Sequence, residues 1–320
     1  MHHMFSVGLD VDILVSTVMV TLLFIIGLYA GKFDHFFGPL RLSLFGKIQV
    51  NEQSAGNLDI SEEDNLIIKE YHISDHIKKK TKPYKDDEFG YYLAGLIEGD
   101  GYFGDHRFEI AFHKEDIYLA YFIKKQIGYG SVLNLKNKNS VRYVLKHSEG
   151  LNRIINLVNG KFLSHYKIDQ LLKHNYDKIF NIIILPPVKF DLSSNHWLAG
   201  FSDADASFVI QLAKTNQNNS GFLRLEFKIK QKYPELLNLI QEFLGGNIYL
   251  LNSENIYYYK LASFKLTKKI IDYFDVYQLN SSKHIKYLRW RKVYRIVQRK
   301  EHLNEIGLRK IRKIQENLRD

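Results

Sequence analysis

A chain of 320 residues with no cysteine and a formal charge of +10 is long enough for one large core or two modest ones, which excludes a peptide or a disulfide-built miniprotein. The missing cysteine also removes thiolate zinc sites, iron–sulfur clusters and cysteine nucleophiles, and it fits a reducing or matrix-like compartment. The positive charge is concentrated, because residues 281–320 hold 13 Lys/Arg against 4 Asp/Glu; so basic a segment points to a polyanion such as nucleic acid, with a solvated basic helix as the plain alternative.

In chain order, the first feature is the uncharged, mostly apolar run ILVSTVMVTLLFIIGLYA at residues 13–30, at the lower length limit for a membrane-spanning helix. Only His2 and His3 stand before Asp10 and Asp12, so the positive n-region of a secretory signal is missing. The run is read either as a membrane contact or as an apolar leader that is clipped or packed away. Residues 51–65 are polar and acidic, and residues 78–85 are polar and basic around Pro83; together they read as a linker. Residues 1–88 are thus assigned to leader, apolar segment and linker.

From Phe89 the chain becomes patterned and repeats itself. YYLAGLIEGDGYF starts at Tyr91 and HWLAGFSDADASF at His196, which places Leu93 on Leu198, Gly95 on Gly200, Glu98 on Asp203 and Asp100 on Asp205. The first copy predicts a helix over 89–100, then FEIAFHKED as a strand, DIYLAYFIKKQIG as a helix, SVLNL and SVRYVLKH as strands, and SEGLNRIINLVNG as a helix. The second copy predicts the same order, with FLRLEFKIKQK alternating as a half-buried strand, YPELLNLIQEFLG as a helix, GNIYLLN and NIYYYKLAS as strands, and FKLTKKIIDYF as a helix. The fold class is therefore α+β, with two pseudosymmetric halves at residues 89–185 and 186–320, like a homodimer whose subunits are joined.

Gly95 and Gly99 share one helix face, and Gly200 and Ala204 offer the same bare face in the second copy. Two such faces can pack closely, bringing Asp100 beside Asp205 at one end of a shared interface. Paired carboxylates without a histidine cluster favour hard, oxygen-loving cations, Mg²⁺ first where phosphates complete the coordination and Mn²⁺ as a substitute. A single Asp of this kind usually caps a helix; its duplication argues for the metal role. Glu98 and Asp203 are read as secondary ligands or, by preference, as hydrogen-bonding groups at the helix ends. A metal-free acid/base hydrolase is formally allowed by the pair, and the basic tail argues against it.

The two strings LAGLIEGDG and LAGFSDADA resemble the paired signature of LAGLIDADG homing endonucleases over residues 89–318. The resemblance implies two αββαββα halves forming a DNA-binding saddle, motif helices at the central interface, and double-strand cleavage with 3′ overhangs by a monomer. It assigns metal binding to Asp100 and Asp205, places Lys167 and Lys283 near the active-site water or on phosphate, and puts Gln231 and His113 at the polar ends of the second strands. Arg291, Lys292, Arg295 and Arg299 are the candidates for a grip on the DNA backbone. Ala206 departs from the closing glycine of the motif, and the short GYFGDHRFEIAFHKED predicts a truncated first hairpin. Some family members act as RNA maturases on their own intron, so intron RNA is the alternative partner; a membrane-tethered structural protein is a third reading that leaves the duplicated motif unexplained. Finally, HHMFSVGLDVD at residues 2–12 resembles a segment of mitochondrial cytochrome c oxidase subunit I. This implies a mitochondrial product of an intron in that gene, with His2 and His3 as inherited residues without a ligand role.

Overall fold

A computed structural model describes residues 71–77, 82–136, 138–213, 222–251 and 253–319, all within one compact unit, Gln53–Asp320. The apolar run at 13–30 and the oxidase-like segment lie outside the described residues. Among those described, no helix is long and apolar enough to cross a membrane.

The first half opens with α1 (Asp86–Asp100), whose first turn carries Asp86, Asp87 and Glu88, the sign that suits a helix N-terminus. It continues through β1 (Gly101–Gly104), β2 (Arg107–His113), α2 (Ile117–Ile127), β3 (Ser131–Asn134), β4 (Ser140–Leu145) and α3 (Ser148–Val158), followed by α4 (His165–Lys173) and α5 (Tyr176–Phe180). The second half repeats the order with α6 (Trp197–Asp205), β5 (Ala206–Ala213), β6 (Phe222–Gln231), α7 (Glu235–Leu244), β7 (Asn247–Leu251), β8 (Ile256–Leu261) and α8 (Phe264–Val276), then α9 (Lys283–Gln298) and α10 (Glu305–Arg319). Both sheets are antiparallel and share one strand order, β1-β2-β4-β3 and β5-β6-β8-β7. This is the expected αββαββα repeat.

Alternation decides which way each strand faces. Phe108, Ile110 and Phe112 of β2 and Leu223, Leu225, Phe227 and Ile229 of β6 are buried, while Arg107 and Glu109 on β2 and Lys228 and Lys230 on β6 point to the other face. The core is rich in aromatic rings; Phe208 alone meets Phe227, Phe274, Tyr287 and Trp290 with ring centroids 5.3–5.7 Å apart. The first hairpin is short, as its sequence predicts: it pairs from Gly101↔Ile110 only to Gly104↔Arg107 and turns at Asp105 and His106, whose φ is 45°. Its counterpart pairs from Ala206↔Ile229 to Ala213↔Phe222.

The basic C-terminal helix corrects one expectation. Arg291 is 1% exposed. Its guanidinium donates to both carboxylate oxygens of Asp275 at 2.7–3.0 Å and to the Ser74 carbonyl at 2.9 Å. It therefore has no surface to offer DNA. Arg295 and Arg299 both pair with Asp75, so their charge is partly spent inside the protein, while Lys292 is exposed. These contacts come from Tyr71–Ile77, which the sequence reading places in the leader and linker. The segment lies along α9, with Ile73 N–H donating to Gln298 at 2.9 Å and Tyr294 OH to the Tyr71 carbonyl at 2.8 Å. Arg291→Ala is expected to destabilise the fold by about 3 kcal/mol in urea unfolding, because Asp275 would keep its charge in a half-buried place without a partner.

Candidate active site

Helices α1 and α6 form the centre of the molecule, and they touch backbone to backbone. A Cβ on Gly95 would lie 2.0 Å from the Trp197 carbonyl oxygen, and one on Gly200 would lie 1.9 Å from that of Tyr92. Only glycine permits this approach, so the paired motif glycines set the separation of the two halves. At the closing position the helices end without positive φ: Gly101 has φ −79° and Ala206 φ −82°. Alanine at 206 is thus unstrained. A Cβ on Gly101 would press on the Cα and Cγ2 of Ile97, both at 2.8 Å, so the first copy needs its closing glycine for space.

Glu98 and Asp203 act as structural staples. Glu98 accepts from the Leu163 and Ser164 amides, at 3.1 and 2.7 Å, and from Trp197 Nε1 of the other half at 2.8 Å. Asp203 accepts from the Asn280 and Ser281 amides, at 2.7 and 3.2 Å, and from Tyr92 OH of the other half at 2.7 Å. Each carboxylate therefore ties its own motif helix to the loop before a lysine-bearing helix and to the opposite motif helix. Burial pushes Glu98 up to about 7 and raises Asp203 as well, even though the surrounding donors favour the charged forms. With their oxygens so used, the secondary-ligand alternative is set aside.

Asp100 and Asp205 end the two helices two residues further on. Asp205 is half-buried, and burial followed by the charge of Asp100 pushes its carboxyl up to about 6, against the pull of Lys283, Gln231 and Lys167. Asp100 opens to solvent, yet the protein packed around it raises its carboxyl too, opposed by Lys283 and Lys167. Both expected lysines are here. Lys167 Nζ donates to the Gly101 carbonyl at 2.6 Å, and Lys283 Nζ to the carbonyls of Ala204 at 2.6 Å and Ser202 at 3.3 Å. Burial lowers both ammonium groups, and the aspartates work against it. A cleft of about 390 Å³ opens beside them, lined by Gly99, Asp205, Lys230, Gln231, Lys232 and Asn255. A larger polar depression of about 500 Å³ lies around Asp86, Arg153 and Lys161 at the other end of α1, where the ion pairs Arg153–Asp86 and Lys161–Asp87 account for its side chains.

Gln231 and His113 part company. Gln231 Nε2 donates to Asp205 Oδ2 at 2.6 Å. His113 instead bonds Asn139 at 2.9 Å and lies 3.7 Å from Glu115. The hairpin register gives the reason. Gly101 pairs with Ile110 as Ala206 pairs with Ile229, so two residues on, the counterpart of Gln231 is Phe112. His113 sits one residue further along and faces the opposite side of the sheet. The position that carries the amide beside Asp205 is therefore filled by an apolar side chain in the first half.

The residues present fit a divalent cation. The two carboxylates end adjacent helices, close enough for the charge of Asp100 to add to burial in raising Asp205. A Cβ at Gly99 would sit 2.6 Å from Asp205 Oδ2, so the glycine keeps that carboxylate's flank open. Among the described residues no cluster of three or more His, Cys, Asp or Glu occurs. Further ligands would come from amide, backbone or substrate oxygens, the manner in which Mg²⁺ is usually held beside phosphates.

Two αββαββα halves that share one carboxylate pair, with a lysine on each side, one buried and one half-buried, define a pseudo-dimeric α+β protein with a centre suited to phosphate chemistry. The profile of the family described as LAGLIDADG endonuclease matches residues 198–294. An uncharacterized cox1 intron-2 37.2 kDa protein of Schizosaccharomyces pombe is 45% identical over 269 residues, covering 81% of this chain and 83% of that protein. A probable intron-encoded endonuclease 4 of Neurospora crassa is 30% identical over 297 residues, covering 88% of this chain and 51% of that protein, so the chain spans about half of that relative's length. The LAGLIDADG meganuclease I-AabMI, solved bound to uncleaved DNA, superposes with a TM-score of 0.58 at 24% identity, covering 71% of this chain and 98% of that one. The chain belongs to the LAGLIDADG endonuclease family.

Proposed function

We propose that the chain is a site-specific endonuclease that cuts double-stranded DNA at the insertion site of its own intron, by metal-dependent hydrolysis of one phosphodiester in each strand. The observation that carries this reading is the carboxylate pair, Asp100 and Asp205, delivered to one point by two helices in backbone contact at the junction of the two halves. The names of the relatives from intron reading frames support a mitochondrial intron product. In this reading residues 1–88 are leader and linker, except that Tyr71–Ile77 pack on α9 and Asp86–Glu88 form the first turn of α1; residues 89–185 and 186–320 are the two halves, and the working form is a monomer.

Asp100 and Asp205 would hold Mg²⁺, with Mn²⁺ able to substitute; bound there, it supplies a lowered pKa for water and countercharge for the scissile phosphate. The chain's own groups do the rest. Gln231 fixes the Asp205 carboxylate, and Lys167 and Lys283, each anchored to a helix-end carbonyl, bring positive charge beside the aspartates. Their lowered ammonium pKa also suits proton exchange with a nearby water. The sheet faces turned away from the helices would read DNA. On the second half that face carries Arg224, Lys228, Lys230 and Lys260 around Glu226, which pairs with Lys228 and Lys260. On the first it carries Arg107 and Arg142 around Glu109. The longer hairpin and greater positive charge make the second half the stronger grip.

Gln231→Ala is expected to slow cleavage about tenfold and His113→Ala to leave it within about twofold, because only the former supports a metal-binding aspartate. Equal losses would remove the register argument. The function itself is tested by exposing the full chain to two DNA fragments, one with the uninterrupted exon junction and one carrying the intron. Homing predicts that the first is cut and the second survives. Survival of both, with tight binding to the intron RNA, would make the protein a maturase instead.

A further inference from the structure

The residue before each active-site lysine is gripped by the opposite half. Ser282, which precedes Lys283, donates its backbone N–H to Asp116 Oδ1 at 2.6 Å and its hydroxyl to Asp116 Oδ2 at 3.3 Å. Asp116 belongs to the first half, at the end of the 3-10 turn Lys114–Asp116, and is 8% exposed. The same correspondence that places Phe112 on Gln231 places Asp116 on Glu235, and that of the lysines places Ser282 on Tyr166. The second contact exists too, in a weaker form. Tyr166 OH reaches Glu235 at 3.4 Å in an exposed place, and the ring stacks on Tyr233 with centroids 4.4 Å apart. One clasp ends on a backbone amide at the start of a helix. The other ends on a hydroxyl at the tip of a side chain.

Resting on the endonuclease reading, we infer that Asp116 is a positioning residue that sets Lys283 from across the two halves. Its carboxylate holds the first turn of α9, so the Nζ of Lys283 stays against the Ala204 carbonyl, next to Asp205. Glu235 does the corresponding task for Lys167 through a longer and more exposed contact. The two cleavage centres thus depend on different clasps, and loss of Asp116 falls on one of them.

The test is single-turnover cleavage of the exon-junction duplex by the full chain, with each strand labelled separately, for wild type and the variants Asp116→Ala, Asp116→Asn and Lys283→Ala. Asp116→Ala is expected to slow about tenfold the same strand that Lys283→Ala slows, and to leave the other within about twofold, since sub-ångström misplacement of a catalytic group is costly. Asparagine keeps one acceptor for the Ser282 amide and is expected to recover about a third of the wild-type rate on that strand. Should alanine prevent folding, the asparagine variant carries the same strand-resolved comparison. Equal slowing of both strands would reduce Asp116 to an interface contact and overturn the inference, as would no slowing of either.

A second readout needs no DNA. In reductive methylation followed by mass spectrometry, Asp116→Ala is expected to raise the rate at Lys283 about threefold or more relative to Lys167, because the amine is no longer held against the Ala204 carbonyl. An unchanged ratio overturns the inference. A wild-type chain that cuts nothing would sink the endonuclease reading, while the methylation ratio would still decide the clasp.

Discussion

Asparagine at position 100 or 205 is expected to lower double-strand cleavage by about 10³-fold while leaving the fold intact. The amide matches the carboxylate in shape and removes the charge on which metal binding depends. The same substitution at 205 has a second, opposite consequence. Burial and the charge of Asp100 raise the Asp205 carboxyl to about 6, so the folded chain binds that proton more tightly than the unfolded one. This contribution to stability is present below the ordinary carboxylate range and is lost as pH rises through about 6. At pH 8 the ionised Asp205 therefore costs the metal-free protein on the order of 2 kcal/mol, which Asp205→Asn should restore. Urea unfolding of the metal-free proteins at pH 8 and pH 4 checks this: the variant should be the more stable at pH 8, and the difference should fade at pH 4. Metal binding by the wild type should in turn weaken as pH falls from 7 to 5, because Asp205 takes up a proton that competes with the cation. Undiminished cutting by both single variants would remove the mechanism.

The second large effect is expected at Gly200. In an exposed helix, replacing glycine with a larger residue usually gains stability. Here a Cβ would lie 1.9 Å from the Tyr92 carbonyl oxygen and 2.9 Å from the Leu96 nitrogen, and these backbone atoms cannot swing aside. Gly200→Val must separate α1 from α6. That would break the Trp197–Glu98 and Tyr92–Asp203 hydrogen bonds and leave buried carboxylates with fewer donors, for a loss of about 4 kcal/mol or more. Thermal unfolding should show a large drop in midpoint, or the chain should fail to accumulate in folded form. Ala206→Gly, at φ −82°, is the control and should cost less than about 1 kcal/mol. A wild-type melting curve for Gly200→Val would contradict the close helix contact.

The centre of this site was legible in the sequence because duplication marks it. Asp100 and Asp205 stand out only when LAGLIEGDG and LAGFSDADA are laid side by side, and the period-two and helical patterns after each copy give the order of elements. The short first hairpin could be read from the spacing between Asp100 and the next helix. The position of His113 could not, because matching polar strand ends ignores where the turn falls; counting outward from an Asp105–His106 turn leads to Phe112. Arg291 carried a readable signal that its charge obscured. Tyr287, Trp290, Arg291, Tyr294 and Val297 recur at helical spacing, which places the arginine inside an apolar stripe, and all are buried. The packing of Tyr71–Ile77 on α9 and the Asp116–Ser282 clasp join residues more than 160 positions apart. No local pattern announces such contacts; they follow from how the halves meet.

The most direct test of the central claim is cleavage of the uninterrupted exon junction by the full chain in Mg²⁺, in chelator, and by the Asp100→Asn/Asp205→Asn double variant in Mg²⁺. The account predicts a double-strand break at the junction in the first reaction and intact DNA in the other two. Cutting that persists in chelator, or in the double variant, would contradict a metal-dependent centre built on these two aspartates.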